Sequence, residues 1–347
     1  MTQQQSDAIN NLRFPLMGGV ILIHNVIIDP TEGWNEGYYL ASTIINLFSW
    51  CLTSPCVPLF FFISGFLFFA KSGSFDAKGY ARKLQQRART LLIPYIFWNA
   101  IVLFYFAFMH KYTPRLVNPE FNNVYTYTLQ EWLLSFWNFP GGQPVCFQLW
   151  FVRDLMVMIV CAPIVYIVAK YGKWGLPIVL ATLYFFCNGL FPMQTAVTFF
   201  TIGACFSIHN LDFSTLASRY WRIAFLVWLV SIIIRLCFHC EDVYNMYSVT
   251  VLFGSVVYLY AASICKPKHR SIDNFLAVSG FFVYAFHGFP IGVILKVLSG
   301  IIHPHSDIAY IVIYVTSFII IMGISLGLYY MMRKNLPTLT SIITGGR

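Results

Sequence analysis

Long runs of apolar residues, separated by short polar segments, fill almost the whole chain. A helix needs about 20 mostly apolar residues to cross a bilayer. Ten runs approach that length, and the two that flank Phe191-Pro192 are the shortest. They predict spans at 14–29, 44–70, 91–109, 149–169, 174–191, 194–208, 223–240, 246–265, 275–298 and 308–332. The pattern therefore predicts an all-α, polytopic integral membrane protein with about ten transmembrane helices in a single domain, residues 1–347.

The composition excludes several classes of protein. Of the 347 residues, 58% are hydrophobic and only 10% are charged, whereas about 25% of an ordinary soluble domain is charged. A soluble enzyme, a disordered chain and a free nucleic-acid-binding protein are therefore excluded. The nine cysteines are scattered, and Cys237-Phe-His239-Cys240 lacks a second half that could complete a metal site. We expect packing cysteines, with a disulfide at the outer face as the minority alternative, and no bound metal.

The lysines and arginines predict the orientation of the spans. With the N-terminus inside, 17 of these 22 cations fall at the inner ends of the spans, and only Lys111 and Arg115 fall in the outer loops. Cytoplasmic loops of membrane proteins carry this excess of cations. Both termini are therefore predicted to be cytoplasmic. The long outer segment 110–147, which holds Trp132 and Trp137, is predicted to lie on the membrane surface.

Five ionisable residues stand inside the predicted spans: His24, Arg153, Asp154, Arg235 and His287. A charge inside a bilayer is costly, so each one is a candidate functional residue. A helix rise of about 1.5 Å per residue places them roughly 16–25 Å above the inner face, on four helices. This shared depth predicts a buried polar chamber. Adjacent helical residues point about 100° apart, so Arg153 and Asp154 are predicted not to pair.

Arg13 and His24 are predicted to share one helical face. Their spacing of eleven residues is about 20° past three full turns. That face carries a cation at the cytoplasmic entrance and an imidazole deep inside. The alternative is that Arg13 only anchors the helix at the boundary and His24 only packs.

Two inner features carry further candidates. Ser64-Gly65, which follows Pro55 and Pro58 in the same span, is typical of a close approach by another helix. The segment 71–89, KSGSFDAKGYARKLQQRAR, holds six cations against Asp76 alone. Such a segment sets the topology, meets anionic lipid, or holds the phosphates of a cytoplasmic nucleotide-bearing ligand. The sequence leaves these alternatives open.

Five motifs occur in order at positions consistent with the predicted spans. They are Arg13-x10-His24, Phe60-Phe61-x-x-Ser64-Gly65, Arg87-Ala-Arg89-Thr-Leu-Leu-Ile-Pro94-Tyr95, Leu149-Trp150-Phe151-Val152-Arg153-Asp154-Leu155 and Phe282-Val283-Tyr284-Ala285-Phe286-His287-Gly288. Together they resemble the membrane-bound acyltransferase-3 family in its short form, without an extra soluble domain. The resemblance covers residue 13 to about residue 330. Some members carry a basic Arg-x-x-Arg motif that does not occur in this exact form here. The basic residues in the corresponding region are Arg82, Lys83, Arg87 and Arg89.

The resemblance implies a membrane O-acyltransferase. We expect an O-acetyltransferase that moves an acetyl group from cytoplasmic acetyl-CoA to a hydroxyl of a cell-envelope carbohydrate. Its expected place is the bacterial cytoplasmic membrane, and its expected partners are acyl-CoA, an envelope glycan or lipid-linked sugar, and the lipid bilayer, with no nucleic acid. The acceptor, the choice of acetyl over succinyl and the formation of a homo-oligomer stay open.

The resemblance also implies a role for each candidate residue. His24 is the expected general base, because an imidazole accepts a proton near neutral pH. Arg153 or Arg235 would stabilise the oxyanion, and Asp154 would orient a histidine or a sugar hydroxyl. The residues expected to bind acetyl-CoA are Arg13, Arg82, Arg87, Arg89, Ser64 and Gly65. The residues expected to bind the acceptor are Arg235, His287 and Trp150, and His287 is also the reserve candidate for the base.

Two other functions compete with the enzyme. A transporter or flippase for an acylated or anionic solute would bind that solute with the same buried charges. Inverted repeats and paired broken helices would favour the transporter, and the sequence shows no repeat. A scaffold or lipid-sensing protein would leave the buried charges unexplained.

Overall fold

The computed structural model describes residues 1–70, 75–113, 123–138, 142–187, 189, 193–238, 245–265 and 270–346, without the side chains of 270–272. Within these ranges the regular structure is helical, and no β-strand occurs. The α-helices are α1 (Gln3–His24), α2 (Pro30–Asn35), α3 (Tyr39–Ile45), α4 (Cys56–Phe69), α5 (Ala77–Arg87), α6 (Ile93–Tyr112), α7 (Leu129–Ser135), α8 (Trp150–Val160), α9 (Ala162–Gly172), α10 (Gly175–Phe186), α11 (Gln194–Ile208), α12 (Phe213–Phe238), α13 (Met246–Ile264), α14 (Arg270–Phe286), α15 (Gly288–Ile302), α16 (Asp307–Asn335) and α17 (Pro337–Ile343). The predicted all-α class is confirmed.

The number of spans differs from the predicted ten. Helices occupy all ten predicted segments, but five described helical stretches are long and apolar enough to cross a membrane, or up to seven if two bent pairs each count once. Both bent pairs turn by 69°: α8 with α9 at Cys161, and α14 with α15 at His287. Ten spans are therefore not confirmed, although a multi-pass membrane protein is supported. The 69° bends correct the predictions of unbroken spans at 149–169 and 275–298.

Several predicted boundaries were wrong. Residues 77–89 of the inner segment 71–89 are helical, because α5 runs through a π-helical turn, Ala88–Leu92, into α6 and makes one continuous stretch, Ala77–Tyr112. Residues 71–74 lie outside the described part. The first helix begins at Gln3, where the capping box of Thr2 and Gln5 satisfies its first N–H groups, and it ends at His24 instead of residue 29. The predicted outer segment 110–147 contains α7, and its residues 114–122 and 139–141 lie outside the description.

Helix α1 is the centre of the bundle. It packs against α4, α12, α13, α14 and α16. A helix that is surrounded by other helices meets little lipid, so it does not need an apolar surface all round. This explains why α1 carries Arg13 and His24 and is not among the helices apolar enough to span a membrane alone.

The C-terminal end of the chain and the middle of α1 lie near the junction of α5 and α6. Gly345, in a left-handed conformation with φ of 73°, lies directly against the carbonyl group of Thr90. Arg13 lies near Arg87 at the same junction. The side of the membrane on which this junction and both termini lie stays a prediction.

Helices α4 and α11 make the closest packing in the bundle. A Cβ atom added at Gly65 would collide with the carbonyl group of Phe200, and one added at Gly203 would collide with that of Phe62. The two glycines therefore let the backbones touch, as the Ser64-Gly65 motif predicts. Gly65 faces α11 and does not line the cavity described below, so its position fits packing and not donor binding.

We predict that Gly65→Ala lowers the stability of the detergent-solubilised protein by about 1–3 kcal/mol, because the new methyl group has no room. The measurement is the midpoint of thermal unfolding. The matched control is Gly327→Ala in α16, where an added Cβ meets nothing within 4 Å and alanine is favoured over glycine by about 1 kcal/mol in a helix. A Gly65→Ala protein that unfolds no earlier than wild type would contradict the packing role.

Candidate active site

A cavity of about 470 Å³ runs between four helices. Helix α1 lines it with one stripe of residues: Arg13, Met17, Val20, Ile23 and His24. Residues three or four apart lie on one helical face, so this stripe follows the length of the cavity. Similar stripes come from α4, α8 and α14. The predicted common face of Arg13 and His24 is confirmed, and the helix rise separates their Cα atoms by about 16 Å.

His24 stands at one end of this cavity because α1 ends there. The next residue, Asn25, is fully buried, and its side chain donates a hydrogen bond to the carbonyl of Tyr314 at 2.8 Å. The hydroxyl of Ser317 donates to the Asn25 side-chain oxygen, also at 2.8 Å. These bonds hold the end of α1 inside the bundle. The imidazole of His24 has no hydrogen-bond partner in the described part of the chain, so its nitrogens are free for a ligand.

A second histidine lies beside the first. The rings of His24 and His287 stack with centroids 5.5 Å apart and an interplanar angle of 27°. His287 is fully buried at the break between α14 and α15, and its Nδ1 lies 2.7 Å from the carbonyl oxygen of Tyr284. A carbonyl oxygen only accepts, so Nδ1 carries the proton and Nε2 of the neutral ring is left as an acceptor. No described residue hydrogen-bonds to that Nε2.

The turn Phe147–Leu149 closes this end of the site. The ring of Phe147 meets that of His24 edge-on, with centroids 5.0 Å apart. Gln148 donates through its side chain to the carbonyl of Ala285 at 2.8 Å, and its own carbonyl accepts from the hydroxyl of Tyr284. The turn and the helix break are therefore held together beside the two histidines. Phe147 and Gln148 were not predicted as site residues, although a glutamine before an apolar helix was a signal.

The opposite end of the cavity is cationic. Arg13 and Arg87 both line it and lie close enough to repel each other. None of its described lining residues is acidic, and neither arginine forms an ion pair with a described residue. Ser64 also lines the cavity. Arg82 and Arg89 are exposed and stand outside the lining, so the structure brings together two of the four predicted arginines.

Arg153 and Asp154 correct the prediction for these neighbours. Their side chains form an ion pair with Nε and Oδ1 2.9 Å apart, because the long arginine side chain bends back along α8. The Arg153 guanidinium also donates to the carbonyls of Trp137 and Gly142, each at 2.8 Å. Neither residue lines the cavity. The pair fastens the segment before α8 instead of facing the site.

Arg235 and Trp150 mark a neighbouring space. Arg235 is buried, with 4% of its surface exposed, and lines a second cavity of about 390 Å³. Trp150 lines both cavities. The predicted single polar chamber is thus two adjoining cavities, which hold His24 and Arg235 respectively and exclude Arg153 and Asp154. In the described part of the chain no three His, Cys, Asp or Glu residues form a metal site.

Comparison with known proteins identifies the family of the whole chain. The acyltransferase-3 family, described as an acyltransferase domain, matches residues 6–330. The succinoglycan biosynthesis protein ExoH of Rhizobium meliloti (strain 1021) is 25% identical to this chain over an alignment of 367 residues. The alignment covers 100% of this chain and 94% of ExoH. No solved structure matches the chain. The chain therefore belongs to the acyltransferase-3 family of membrane acyltransferases.

Proposed function

We propose that this acyltransferase is an O-acetyltransferase that moves an acetyl group from cytoplasmic acetyl-CoA to a hydroxyl of a cell-envelope carbohydrate. The cavity between Arg13 and His24 carries the proposal, because it joins a cationic end, suited to an anion, to an imidazole that can act as a base. The similarity to a succinoglycan biosynthesis protein supports a carbohydrate acceptor. The proposed location is the bacterial cytoplasmic membrane.

The cavity fits the shape and charge of an acyl-CoA. The guanidinium groups of Arg13 and Arg87, which form no ion pair with a described residue, are natural partners for phosphate oxygens. Apolar side chains, among them Met17, Val20 and Ile63, line the part between the two ends. On α14 the buried Gly280 also lines it, and an added Cβ there would meet nothing within 4 Å. An extended pantetheine arm is comparable in length to the helix rise of about 16 Å between Arg13 and His24.

His24 performs the proton transfers in the proposed reaction. It accepts the proton of the acceptor hydroxyl while the hydroxyl oxygen attacks the thioester carbonyl carbon. It returns that proton to the sulfur when the carbon–sulfur bond breaks, which leaves an ester and a free thiol. Trp150 lines the cavity with an indole N–H that no described residue accepts, and this N–H is our candidate donor to the oxyanion. His287 positions the His24 ring by stacking on it.

One observation favours the competing transporter function. The bent pairs at Cys161 and His287 are the type of broken helix that many transporters use at their binding sites. The family match and the cation-to-imidazole cavity favour the enzyme instead. The two functions differ in whether purified protein consumes acetyl-CoA, because a transporter would leave its thioester intact.

We predict that His24→Ala lowers acetyl transfer by about 10²–10⁴-fold, because the general base is lost. Cells that lack the gene receive a gene for wild type, for His24→Ala or for a control variant. Mass spectrometry then counts the acetyl groups on their envelope glycans. The matched control is His305→Ala, an exposed histidine outside both cavities, which should keep wild-type transfer. Transfer by the His24→Ala protein at a tenth of the wild-type level or more would exclude His24 as the base.

Arg13→Ala and Arg87→Ala are each predicted to weaken acetyl-CoA binding by about tenfold or more, because a charge-assisted hydrogen bond to phosphate is lost. Binding is measured on purified protein at two salt concentrations, and the loss should be larger at low salt. Arg82→Ala, which removes an exposed arginine outside the cavity, is the matched control. Equal affinities for all variants would leave these cations with a role in topology alone.

The predicted topology is tested with single cysteines in a cysteine-free background. Lys78→Cys in α5 and Gln130→Cys in α7 replace exposed residues. An impermeant maleimide should label residue 130 in spheroplasts and residue 78 only after lysis, because the cation-rich segment is predicted to be cytoplasmic. Labelling in the reverse order would place the donor end of the cavity on the outer side.

A further inference from the structure

The second cavity adjoins the first at a shared wall. Ile23, Val57 and Trp150 line both cavities. Ile23 directly precedes His24 at the end of α1, so the shared wall lies next to the proposed base. A ligand in the second cavity therefore needs to pass only this wall to reach His24.

Arg235 gives the second cavity a positive charge. Its one hydrogen bond to a described residue goes to the carbonyl of Trp50 at 3.0 Å, and its guanidinium carbon lies 5.5 Å from the ring centroid of Tyr247. No acidic residue is among the described residues that line the cavity. A buried guanidinium without a counter-ion is costly. An anion bound in the cavity would remove that cost.

The remaining polar lining suits hydroxyl groups. The hydroxyls of Thr53 and Ser54 donate to the backbone carbonyls of Ser49 and Cys51 within their own segment. Their protons are thereby used, and their oxygens can accept hydrogen bonds from a ligand. Trp50 and Trp150 add aromatic surface to the same cavity. This combination of hydroxyl acceptors, aromatic rings and one cation fits an anionic carbohydrate.

We propose that the second cavity binds the acceptor and that Arg235 selects a carbohydrate with an anionic group, either a carboxylate on the sugar or a phosphate that links it to lipid. This inference rests on the proposed function, since it assigns the acceptor subsite of the same reaction. The anionic group lies against Arg235, and the reacting hydroxyl reaches His24 past the wall of Ile23 and Trp150. Glu241 and Asp242, which follow Arg235 in the sequence, lie outside the described residues and enter the test below.

The first experiment uses wild-type protein and matched acceptors. One pair is an oligosaccharide that contains a uronic acid and its carboxyl-reduced counterpart, and the other is a polyprenyl-pyrophosphate-linked sugar and the free sugar. Direct binding and acetyl transfer from acetyl-CoA are both measured. We expect the anionic member of one pair to bind about tenfold or more tightly than its neutral partner, since a hydrogen bond to a charged group is strong. The pair that shows the preference distinguishes carboxylate from phosphate.

Variants of Arg235 test whether this residue causes the preference. Arg235→Gln should raise the KM for the anionic acceptor about tenfold or more and bring it close to that of the neutral one. Arg235→Lys keeps the charge and should retain part of the preference. This variant also provides the test if the glutamine variant does not fold. Glu241→Gln with Asp242→Asn is the matched control and should leave the preference unchanged. A stronger preference for the anion in that control would show that an acid, and not the acceptor, pairs with Arg235.

The outcomes separate this inference from the proposed function. Equal binding of charged and neutral acceptors by wild-type protein overturns the inference, whether or not acetyl transfer occurs. A preference that survives in Arg235→Gln also overturns it. Tight binding of the anionic acceptor without any transfer supports the subsite but contradicts the proposed acetyltransferase.

Discussion

Backbone polar groups that are freed inside an apolar bundle must find partners, and the site depends on this requirement. Helix α1 ends within the bundle, where water is scarce, and the side chain of the buried Asn25 anchors that end by donating to the carbonyl of Tyr314 and accepting from the hydroxyl of Ser317. Helix α14 breaks within the bundle as well, and there Gln148, in the turn that precedes α8, donates to the carbonyl of Ala285. Each interruption is thus held by side chains from distant parts of the chain.

The same interruptions determine where the two histidines of the site lie. A histidine in the middle of a regular helix would have its ring confined to one face, whereas His24 stands at the last residue of α1 and His287 at the 69° bend. The two rings can stack because the two helices stop beside each other. The hydrogen bonds of the neighbouring turn fix the wall around them, so the proposed base, His24, has its surroundings fixed before any ligand binds.

The partners of the buried arginines separate structural from ligand-binding roles. Arg153 has an ion pair with Asp154 and two carbonyl acceptors, which leave it satisfied by the protein. Arg13, Arg87 and Arg235 line cavities and have no ion pair with any described residue. A satisfied cation stabilises the fold, and an unsatisfied one requires an anion. The donor and acceptor assignments both follow from this difference.

The sequence by itself determined the helical class, the membrane environment and the common face of Arg13 and His24. These properties depend on composition and on the local period of the α-helix, which neighbouring residues alone specify. Tertiary structure decided that Gly65 packs against Phe200 and that the helix is interrupted and bends at His287. It also decided that Arg153 turns to Asp154 and away from the cavity. Those outcomes depend on which groups the fold brings within reach, because a long side chain or a freed carbonyl takes the nearest group in space and no local period encodes that group.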